Sequence, residues 1–471
     1  MSSKSQRTES PIVPLEIGQQ IEMTAVRTGF QGEGVARFEG FAVFVDGLMP
    51  GETAIVKVTE VKPRFAKGEI LKLLTKSQER VDPRCPAFGV CGGCQVQHMT
   101  YEAQIIWKRQ LVVDALERIG HFDAEFASVV VEPMKPMETP WRYRNKVSLM
   151  AAPKGQGFIA GFVEEGTHEP VVLSECFIRP EMQDEMVKVL VALLRRFHVE
   201  AFNEKTGNGQ LRQIRIRSTK HGDTMVVMAS VKPLKDGPTI AKALAETLFT
   251  SGRVVSVVEE VIRFSKKSRR SSDVVEEHVL FGASELVESI LGLDFYVSAQ
   301  SFLQVNPEQT EVLYQTALEM AELSGRETVV DLYAGIGTLS LVAAKLAGKV
   351  IGVENVPDAV KDAKRNSERN GVQNAEFYLG LAEKVLPDLV QKGLTADVVM
   401  LDPPRAGCKP EVIDAMIGTG ANRIVYVSCN PSTLARDLAL LVSRGYTLQR
   451  LVPVDLFPQT YHVECVALLS H

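Results

Sequence analysis

The stretch Thr328-Val329-Val330-Asp331-Leu332-Tyr333-Ala334-Gly335-Ile336-Gly337 passes from a short apolar run into a turn that contains two glycines. Similar runs rich in valine, isoleucine and leucine follow it, separated by stretches with helical periodicity, at 350–354, 397–402 and 423–428. Near-continuous apolar strands that alternate with helices are typical of a parallel sheet covered on both faces. Ligands of such sheets bind at the carboxyl ends of the strands. The pattern therefore predicts functional residues at Asp331–Gly337, Glu354, Asp402 and Ser428–Asn430.

The turn itself indicates the kind of ligand. Its two glycines allow the backbone to approach a ligand closely, but a nicotinamide-binding turn would have a third glycine where Ser340 stands. The next strand ends in Glu354, 19 residues after Gly335, where a carboxylate can accept hydrogen bonds from both ribose hydroxyls. This pattern favours a nucleoside cofactor without phosphates, S-adenosylmethionine, and a purely structural glycine turn is the alternative.

Two further strand ends carry side chains suited to chemistry. Asp402 precedes two prolines, which fix the chain and the direction of the carboxylate. Amino-group methyltransferases have an aromatic residue after the prolines, so Arg405 at that position disfavours methylation of an exocyclic amine. Cys429 stands before a helix that begins at Pro431, and we expect the helix dipole to lower the pKa of its thiol. A nucleophile is therefore favoured, although an isolated cysteine is more often a packing residue.

The last apolar run, Val463–Leu469, predicts a strand that is interrupted by one carboxylate, Glu464. A carboxylate at this position is either exposed to solvent or a general base, and the sequence alone does not separate the two. The adjacent His462 is equally open between a structural and a catalytic role.

The seven cysteines are an odd number spread over a chain whose polar start shows no signal for export. This usage argues against a disulfide framework and for metal ligation or catalysis. Three cysteines lie close together at Cys85, Cys91 and Cys94 in a glycine-rich segment, and Cys176 is far downstream. Four thiolates suit zinc or an iron–sulfur cluster, and the spacing does not decide between them.

The composition, 45% hydrophobic and 24% charged over 471 residues, is that of an ordinary globular protein of about three domains. The longest apolar runs, such as Val189–Leu194, are too short to cross a membrane, so we expect a cytoplasmic protein.

The net charge is −5, yet residues 210–272 contain 13 basic and 5 acidic residues. A basic segment in an acidic chain favours a local site for a polyanion, with a solvated surface as the alternative.

The first part of the chain, residues 12–74, has short β-rich pieces separated by glycine turns, which predicts a small barrel of the oligonucleotide-binding kind. Basic residues around Phe65 suit contact with phosphates and bases, although a solvated rim would look the same. A helix is predicted from Tyr101 to Ile119. The segment from His121 to Leu291 has a mixed α/β pattern, with strands at 147–150, 214–217 and 225–228 and helices at 181–197 and 239–248.

Together these features resemble the RNA uracil-5-methyltransferase family, in particular the branch that modifies 23S ribosomal RNA and carries a TRAM domain and an iron–sulfur cluster. The matching motifs are 301–306 (SFLQVN), 331–337, 402–407 and 428–433. The resemblance implies an α/β fold, in which a Rossmann-like class I methyltransferase domain follows an N-terminal OB-like β-barrel (TRAM) and a mixed α/β central domain. It implies domain boundaries at 12–75, 76–295 and 296–471.

The resemblance also implies roles for individual residues. Cys429 would be the nucleophile, Glu464 the general base, and Phe302 would stack on the substrate base. Contacts to S-adenosylmethionine would come from Gln304, Tyr333, Glu354 and Asp402. A [4Fe-4S] cluster would be bound by Cys85, Cys91, Cys94 and Cys176.

The implied activity is methylation of carbon 5 of a uridine in 23S ribosomal RNA through a covalent cysteine–uracil intermediate. Formation of 5-methyluridine in transfer RNA, a non-catalytic iron–sulfur RNA-binding protein and a nicotinamide-dependent oxidoreductase are the alternatives. We expect no membrane association and no obligate protein partner. The RNA would be bound by the barrel and by the basic stretches Arg142–Lys146, Arg212–Lys220 and Lys266–Arg270.

Overall fold

The computed structural model describes residues 14–155, 157–248, 253–264 and 272–471. The predicted start of the barrel at Ile12 and the basic stretch Lys266–Arg270 lie outside the described residues. The chain divides into two compact units. The first comprises the described residues up to Gly89 together with Gly93–Trp107 and Gln459–Tyr461, and the second comprises Val90–Gly92, Lys108–Pro458 and His462–His471.

The first unit is built on a six-stranded sheet with the strand order β1-β5-β6-β4-β3-β2. Inward-facing side chains alternate with exposed ones along the long strand β5, which buries Ala54, Val56 and Val58. Gly68 allows β6 to pass close to β5, because a Cβ atom there would lie 2.3 Å from Val56 Cγ1. The predicted β-rich N-terminal domain is thus confirmed. The strands are β1 (Gln20–Thr24), β2 (Arg27–Thr28), β3 (Gly34–Phe38), β4 (Phe41–Val45), β5 (Thr53–Val61) and β6 (Phe65–Leu73).

The second unit begins with a mixed α/β part around a seven-stranded sheet, in the order β13-β12-β11-β10-β7-β8-β9. One face of the sheet packs against two helices through a buried aliphatic cluster that includes Ile214, Leu190 and Leu244. The helix α1 (Tyr101–Arg118) has its residues up to Trp107 in the first unit and the others in the second. The other helices in this part are α2 (Ala124–Val130), α3 (Glu181–Arg196) and α4 (Gly237–Thr247). Strands are β7 (Lys146–Lys154), β8 (Gly157–Val163), β9 (Pro170–Val171), β10 (Leu211–Ser218), β11 (Asp223–Ser230), β12 (Arg253–Phe264) and β13 (Ser272–Gly282).

A hairpin, β14 (Glu285–Ile290) and β15 (Leu293–Ser298), precedes the second sheet of this unit, whose order is β18-β17-β16-β19-β20-β22-β21. The first five strands are parallel, and β22 runs antiparallel between β20 and β21. Strands are β16 (Thr328–Leu332), β17 (Lys349–Glu354), β18 (Ala375–Leu379), β19 (Val398–Leu401), β20 (Arg423–Ser428), β21 (Thr447–Val454) and β22 (Glu464–Ser470). Helices are α5 (Pro307–Ala321), α6 (Thr338–Ala344), α7 (Pro357–Arg369), α8 (Ala382–Gln391), α9 (Pro410–Gly418) and α10 (Pro431–Ser443).

The predicted parallel sheet and the predicted helices are confirmed, with ends that differ by a few residues. Several strands were not predicted, among them the hairpin of β14 and β15 and the strands β18 and β21. The pairing of β12 with β13 was not predicted either, because charged residues such as Glu259 and Glu260 interrupt the apolar pattern of β12. The antiparallel insertion of β22 also has no signature in the apolar runs. Among the described residues, no helix is both long and apolar enough to span a membrane.

Candidate active site

The carboxyl ends of four parallel strands meet at one edge of the sheet. Leu332 lies beside Val353 and Leu401 in the register, and Leu401 lies beside Tyr426. The residues that follow these positions therefore share this edge. They are the turn 333–337, Glu354, Asp402 and Cys429, as the sequence predicted.

The glycine turn after β16 curls back over the end of the neighbouring strand. Tyr333, Gly335 and Gly337 all have left-handed backbone conformations, with φ angles of 63°, 56° and 83°. The Gly335 N–H donates to Glu354 Oε2 at 3.0 Å, and Glu354 Oε1 accepts from the N–H groups of Asn355 and Val356. The carboxylate of Glu354 is thus fixed beside the turn, where the sequence predicts contact with a ribose.

Cys429 and Glu464 are brought together by the register of two adjacent strands. Ser428 of β20 lies opposite Cys465 of the antiparallel strand β22. Continuing this register, Cys429, which follows Ser428, lies opposite Glu464, which precedes Cys465, and opposed side chains point to the same face. Cys429 is partly buried. The Glu464 carboxyl is only 2% exposed, and its Oε2 has no hydrogen-bond partner within the part of the chain that the structure describes.

The electrostatic environment raises the pKa of both groups. Burial, followed by the negative charges of Glu464 and Asp402, raises the pKa of the Cys429 thiol to about 11. Burial and then Asp402 raise the pKa of Glu464 well above its ordinary range, and Arg405 opposes both shifts. The predicted lowering of the thiol pKa by the dipole of α10 is therefore wrong, because desolvation and two nearby acids outweigh the helix end. Both shifts favour the protonated forms of the two groups in the free protein.

Two further carboxyl groups in the site have raised pKa values. Burial raises the pKa of Asp402 to about 7, and burial raises that of Asp331 to about 7 even though Ser340 donates a hydrogen bond to it. His462 contrasts with them, because burial and the charge of Arg405 lower its pKa to about 3. A histidine with so low a pKa is a poor general base at neutral pH. The carboxyl groups of Asp331, Asp402 and Glu464 are thus close to one another, and their ionised forms would attract a cationic ligand.

The motif 301–306 forms a loop that exposes one aromatic ring. Phe302 is 72% exposed, whereas its neighbour Ser301 is buried and its carbonyl oxygen accepts from Arg217 Nη2 at 3.0 Å. Asn306 ends the loop by capping α5, and its Nδ2 donates to the Leu456 carbonyl at 3.0 Å. Gln304 is buried. The exposed ring is suited to stacking on a base, and both sides of the loop are anchored.

A buried polar network next to the site has no clear signature in the sequence. Asp437 Oδ2 accepts from the Tyr426 hydroxyl at 2.7 Å and from the Cys408 N–H at 2.8 Å. Asn430 Nδ2 donates to the Arg405 carbonyl at 3.0 Å. These bonds fix the loop after Asp402 against the start of α10. The glycine at position 407 is the one trace of the network in the sequence. Only a residue without a Cβ atom fits there, because a Cβ would lie 2.5 Å from Asp437 Oδ2.

None of the four cysteines proposed as cluster ligands forms a disulfide within the part of the chain that the structure describes. Cys85 and Cys94 belong to the first unit, and Cys91 and Cys176 belong to the second. Burial raises the pKa of the Cys176 thiol. No group of three or more histidine, cysteine or acidic side chains with the arrangement of a metal site occurs among the described residues.

Much of the charge in the predicted RNA-binding stretches is neutralised within the protein. Arg142 donates to the Cys176 carbonyl at 2.8 Å and pairs with Asp184 at 3.3 Å. Tyr143 and Asn145 in the same stretch are buried. In the second stretch, three of the basic residues pair with acids: Arg212 with Glu204, Arg215 with Glu260 and Lys220 with Glu311. The count of basic residues therefore overstates the charge available to RNA.

Comparison with known proteins agrees with this arrangement. The family model described as tRNA (Uracil-5-)-methyltransferase matches residues 109–471, and the TRAM domain model matches residues 14–71. The chain belongs to the tRNA (uracil-5-)-methyltransferase family. It is 40% identical over 460 residues to an uncharacterized RNA methyltransferase of Bacillus cereus, covering 97% of this chain and 98% of that protein. It is 39% identical over 463 residues to one of Clostridium tetani, covering 98% of each.

Among solved structures, the chain is similar to the tRNA (uracil-54, C5)-methyltransferase of Pyrococcus abyssi in complex with S-adenosyl-L-homocysteine. The sequence identity is 28%, the TM-score is 0.73, and the match covers 95% of this chain and 100% of the other. As a member of this family, the chain is an S-adenosylmethionine-dependent RNA methyltransferase with an N-terminal TRAM domain. The predicted fold class is confirmed.

The raised pKa values of Asp331 and Asp402 predict a pH-dependent affinity for S-adenosylmethionine. The sulfonium is a cation, so it binds better when these acids are ionised, and its affinity should rise about tenfold or more between pH 6 and 8. S-adenosylhomocysteine lacks the positive sulfur and should show a clearly smaller change. Calorimetric titration of both ligands at the two pH values measures this difference, and equal pH dependence would contradict the interpretation.

Proposed function

We propose that the protein transfers a methyl group from S-adenosylmethionine to carbon 5 of a uridine in 23S ribosomal RNA through a covalent bond to Cys429. The observation that supports the covalent route best is the register of β20 and β22, in which Ser428 lies opposite Cys465. It gives a thiol and a carboxyl neighbouring positions on one face, and the reaction requires one nucleophile and one base.

Carbon 5 of uracil is unreactive until another atom adds to the ring. In the proposed reaction the Cys429 thiolate bonds to carbon 6, and the electron pair of the ring moves to form an enolate. Carbon 5 then takes the methyl group, and S-adenosylhomocysteine leaves with the bonding electrons. Glu464, as the carboxylate, removes the proton from carbon 5, and the carbon–sulfur bond breaks to regenerate the thiolate.

The protonation states of the free protein fit a reaction that begins only when the ligand is bound. Without ligand, burial and neighbouring acids favour the protonated forms of Cys429 and Glu464. A sulfonium cation among these acids stabilises their ionised forms. We infer that binding of S-adenosylmethionine lowers the pKa of both groups. The thiolate of Cys429 would then form when the methyl donor is present.

Other residues would bind and orient the two substrates. Phe302 would stack on the extruded uracil, which recovers about 1–3 kcal/mol of the free energy lost when the base leaves its stack. Asp402 would orient the uracil edge and contact the methyl donor. Glu354 would bind the ribose, and Gln304 and Tyr333 would complete the cofactor contacts.

The experiment that tests this function uses RNA in which uridine is replaced by 5-fluorouridine. Carbon 5 then carries no proton for Glu464 to remove, so the cysteine cannot be expelled. Incubation with S-adenosylmethionine should accumulate a protein–RNA adduct that survives denaturing electrophoresis, with the RNA attached at Cys429 by peptide mass spectrometry. If wild-type protein binds this RNA and forms no adduct, the proposed mechanism is wrong.

Transfer RNA is the second candidate substrate, because the Pyrococcus abyssi relative is named as a tRNA methyltransferase. The two candidates are separated by giving the enzyme 23S ribosomal RNA or transfer RNA from a strain that lacks its gene. Labelled 5-methyluridine should appear in the ribosomal RNA and not in the transfer RNA. The reverse result would move the proposal to transfer RNA.

We also propose that Cys85, Cys91, Cys94 and Cys176 bind a [4Fe-4S] cluster. Support comes from the residue type, since cysteine sulfur is the usual ligand of such clusters and none of the four forms a disulfide among the described residues. We infer a structural role, because the methyl transfer moves no single electrons. Analysis of iron and acid-labile sulfide in protein purified without oxygen tests this part.

Three further expectations remain predictions. They are the domain boundaries at 75 and 295, the cytoplasmic location and the absence of an obligate protein partner.

A further inference from the structure

Two cationic side chains lie directly opposite each other on the sheet of the α/β part. In the antiparallel pair of β7 and β10, Lys146 is the register partner of Arg217, and Ser148 is the partner of Arg215. Directly opposed residues of an antiparallel pair point to the same face, and like charges in that position are destabilising. The protein thus holds three basic side chains on one face, an arrangement that folding alone does not favour.

The burial of this cationic cluster, Lys146, Arg215 and Arg217, makes the arrangement more costly. Arg217 is only 7% exposed, and its Nη1 has no hydrogen-bond partner among the described residues. Burial and then the charges of Arg217 and Arg215 lower the pKa of Lys146 to about 8. Lys146 makes no ion pair with any side chain in the described ranges. An unpaired buried guanidinium nitrogen beside an unpaired lysine calls for an acceptor from outside the protein.

The acids near the cluster do not neutralise it fully. Glu260 is occupied by its ion pair with Arg215. Glu288 is buried, and burial raises its pKa to about 6, while its Oε1 accepts from the Lys220 N–H at 3.2 Å. Glu277, the register partner of Glu260, also lies near Arg215, and burial followed by the charge of Glu260 raises its pKa. Glu288 therefore remains for Lys146 and Arg217 together, and it is partly protonated near neutral pH. The site therefore has room for another negative charge.

The position of the cluster indicates which anion it binds. Arg217 donates through Nη2 to the carbonyl of Ser301, the residue just before the exposed ring of Phe302. We propose that Lys146 and Arg217 bind one backbone phosphate of the RNA, adjacent to the uridine that stacks on Phe302. This inference rests on the proposed function, since it requires an RNA base on that ring. It makes the two residues a defined phosphate site that fixes the register of the strand, as phosphate contacts do.

The first test compares Lys146→Met with Lys154→Met, which removes an exposed lysine from the far end of the same strand, roughly 26 Å away. The probe is a synthetic 12-nucleotide single-stranded RNA with one central uridine, titrated in the presence of S-adenosylhomocysteine. Lys146→Met should weaken binding about tenfold at low salt and reduce the slope of log affinity against log salt by about 0.7. Lys154→Met should match the wild type. Equal slopes for all three proteins would overturn the inference.

The second test locates the phosphate. Each phosphate of the probe is replaced in turn by a neutral methylphosphonate, and binding is measured with wild type and Lys146→Met. At one phosphate that flanks the uridine, the two changes should not add, because each removes the same contact. Additive losses at every position would overturn the inference.

The two proposals fail in different ways. If the wild type methylates uridine in RNA while Lys146→Met keeps a normal KM, only the phosphate site is wrong. If the wild type forms no 5-methyluridine, the proposed function is wrong, whatever the salt slopes show. Arg217→Lys gives a further readout, because a lysine keeps the charge but cannot reach two acceptors with a planar fork. It should keep the salt slope and raise KM.

Discussion

Replacing Cys429 with alanine is expected to reduce methyl transfer to RNA by at least about 10³-fold, because alanine has no nucleophilic atom that can form the proposed bond to carbon 6. The measurement is incorporation of a labelled methyl group into RNA under single-turnover conditions. Affinity for S-adenosylmethionine should change little, since the proposed cofactor contacts come from other residues. A rate within tenfold of the wild type would contradict the covalent route.

Cys465→Ala provides the matched control for that experiment. Cys465 is the next residue after Glu464 on β22, and the alternation of side chains along a strand points it to the other face of the sheet. It is fully buried, so its loss should lower the melting temperature modestly through a small cavity. Methyl transfer at a temperature well below unfolding should stay within a few-fold of the wild type.

Glu464→Gln is expected to stop the reaction after the methyl group has been transferred. Glutamine has nearly the shape of the protonated acid but cannot accept the proton from carbon 5, so the cysteine stays attached to the ring. Turnover should fall about 10²–10⁴-fold, the usual contribution of a general base. A protein–RNA adduct should accumulate on natural RNA, with the mass of protein, RNA and one added methyl group.

The double variant Cys429→Ala/Glu464→Gln is the control, and it should form no adduct. The single Glu464→Gln variant should also melt close to the wild type, because burial already favours the neutral form of Glu464 in the free protein. Normal turnover by Glu464→Gln would show that another group removes the proton. An adduct that lacks the methyl group would show that the substitution blocks an earlier step.

The residues at the edge of the parallel sheet could be predicted from the sequence, because local pattern and chain direction are enough to place them. Asp331, Asp402 and Cys429 lie at or just after the ends of apolar runs that form parallel strands. Parallel strands must place these ends at one edge of the sheet. The TRAM domain and most helices follow from similar local signals.

The remainder depends on contacts between distant segments. The pairing of Ser428 with Cys465 requires β22 to insert antiparallel between β20 and β21, and no periodicity in residues 463–469 specifies that neighbour. The raised pKa of Cys429 follows from burial and from acids that are far away in sequence. The ion pair of Arg215 with Glu260 likewise turns predicted RNA-binding charge into an internal contact.

The ladder between β20 and β22 sets the spacing of the two proposed reacting groups without any flexible connection. A slip of one residue in β22 would turn Glu464 to the opposite face of the sheet, leaving no intermediate alignment. Engineers who wish to redirect the enzyme to another nucleotide should therefore keep the length of the segment 455–463 constant and vary the loop around Phe302 instead.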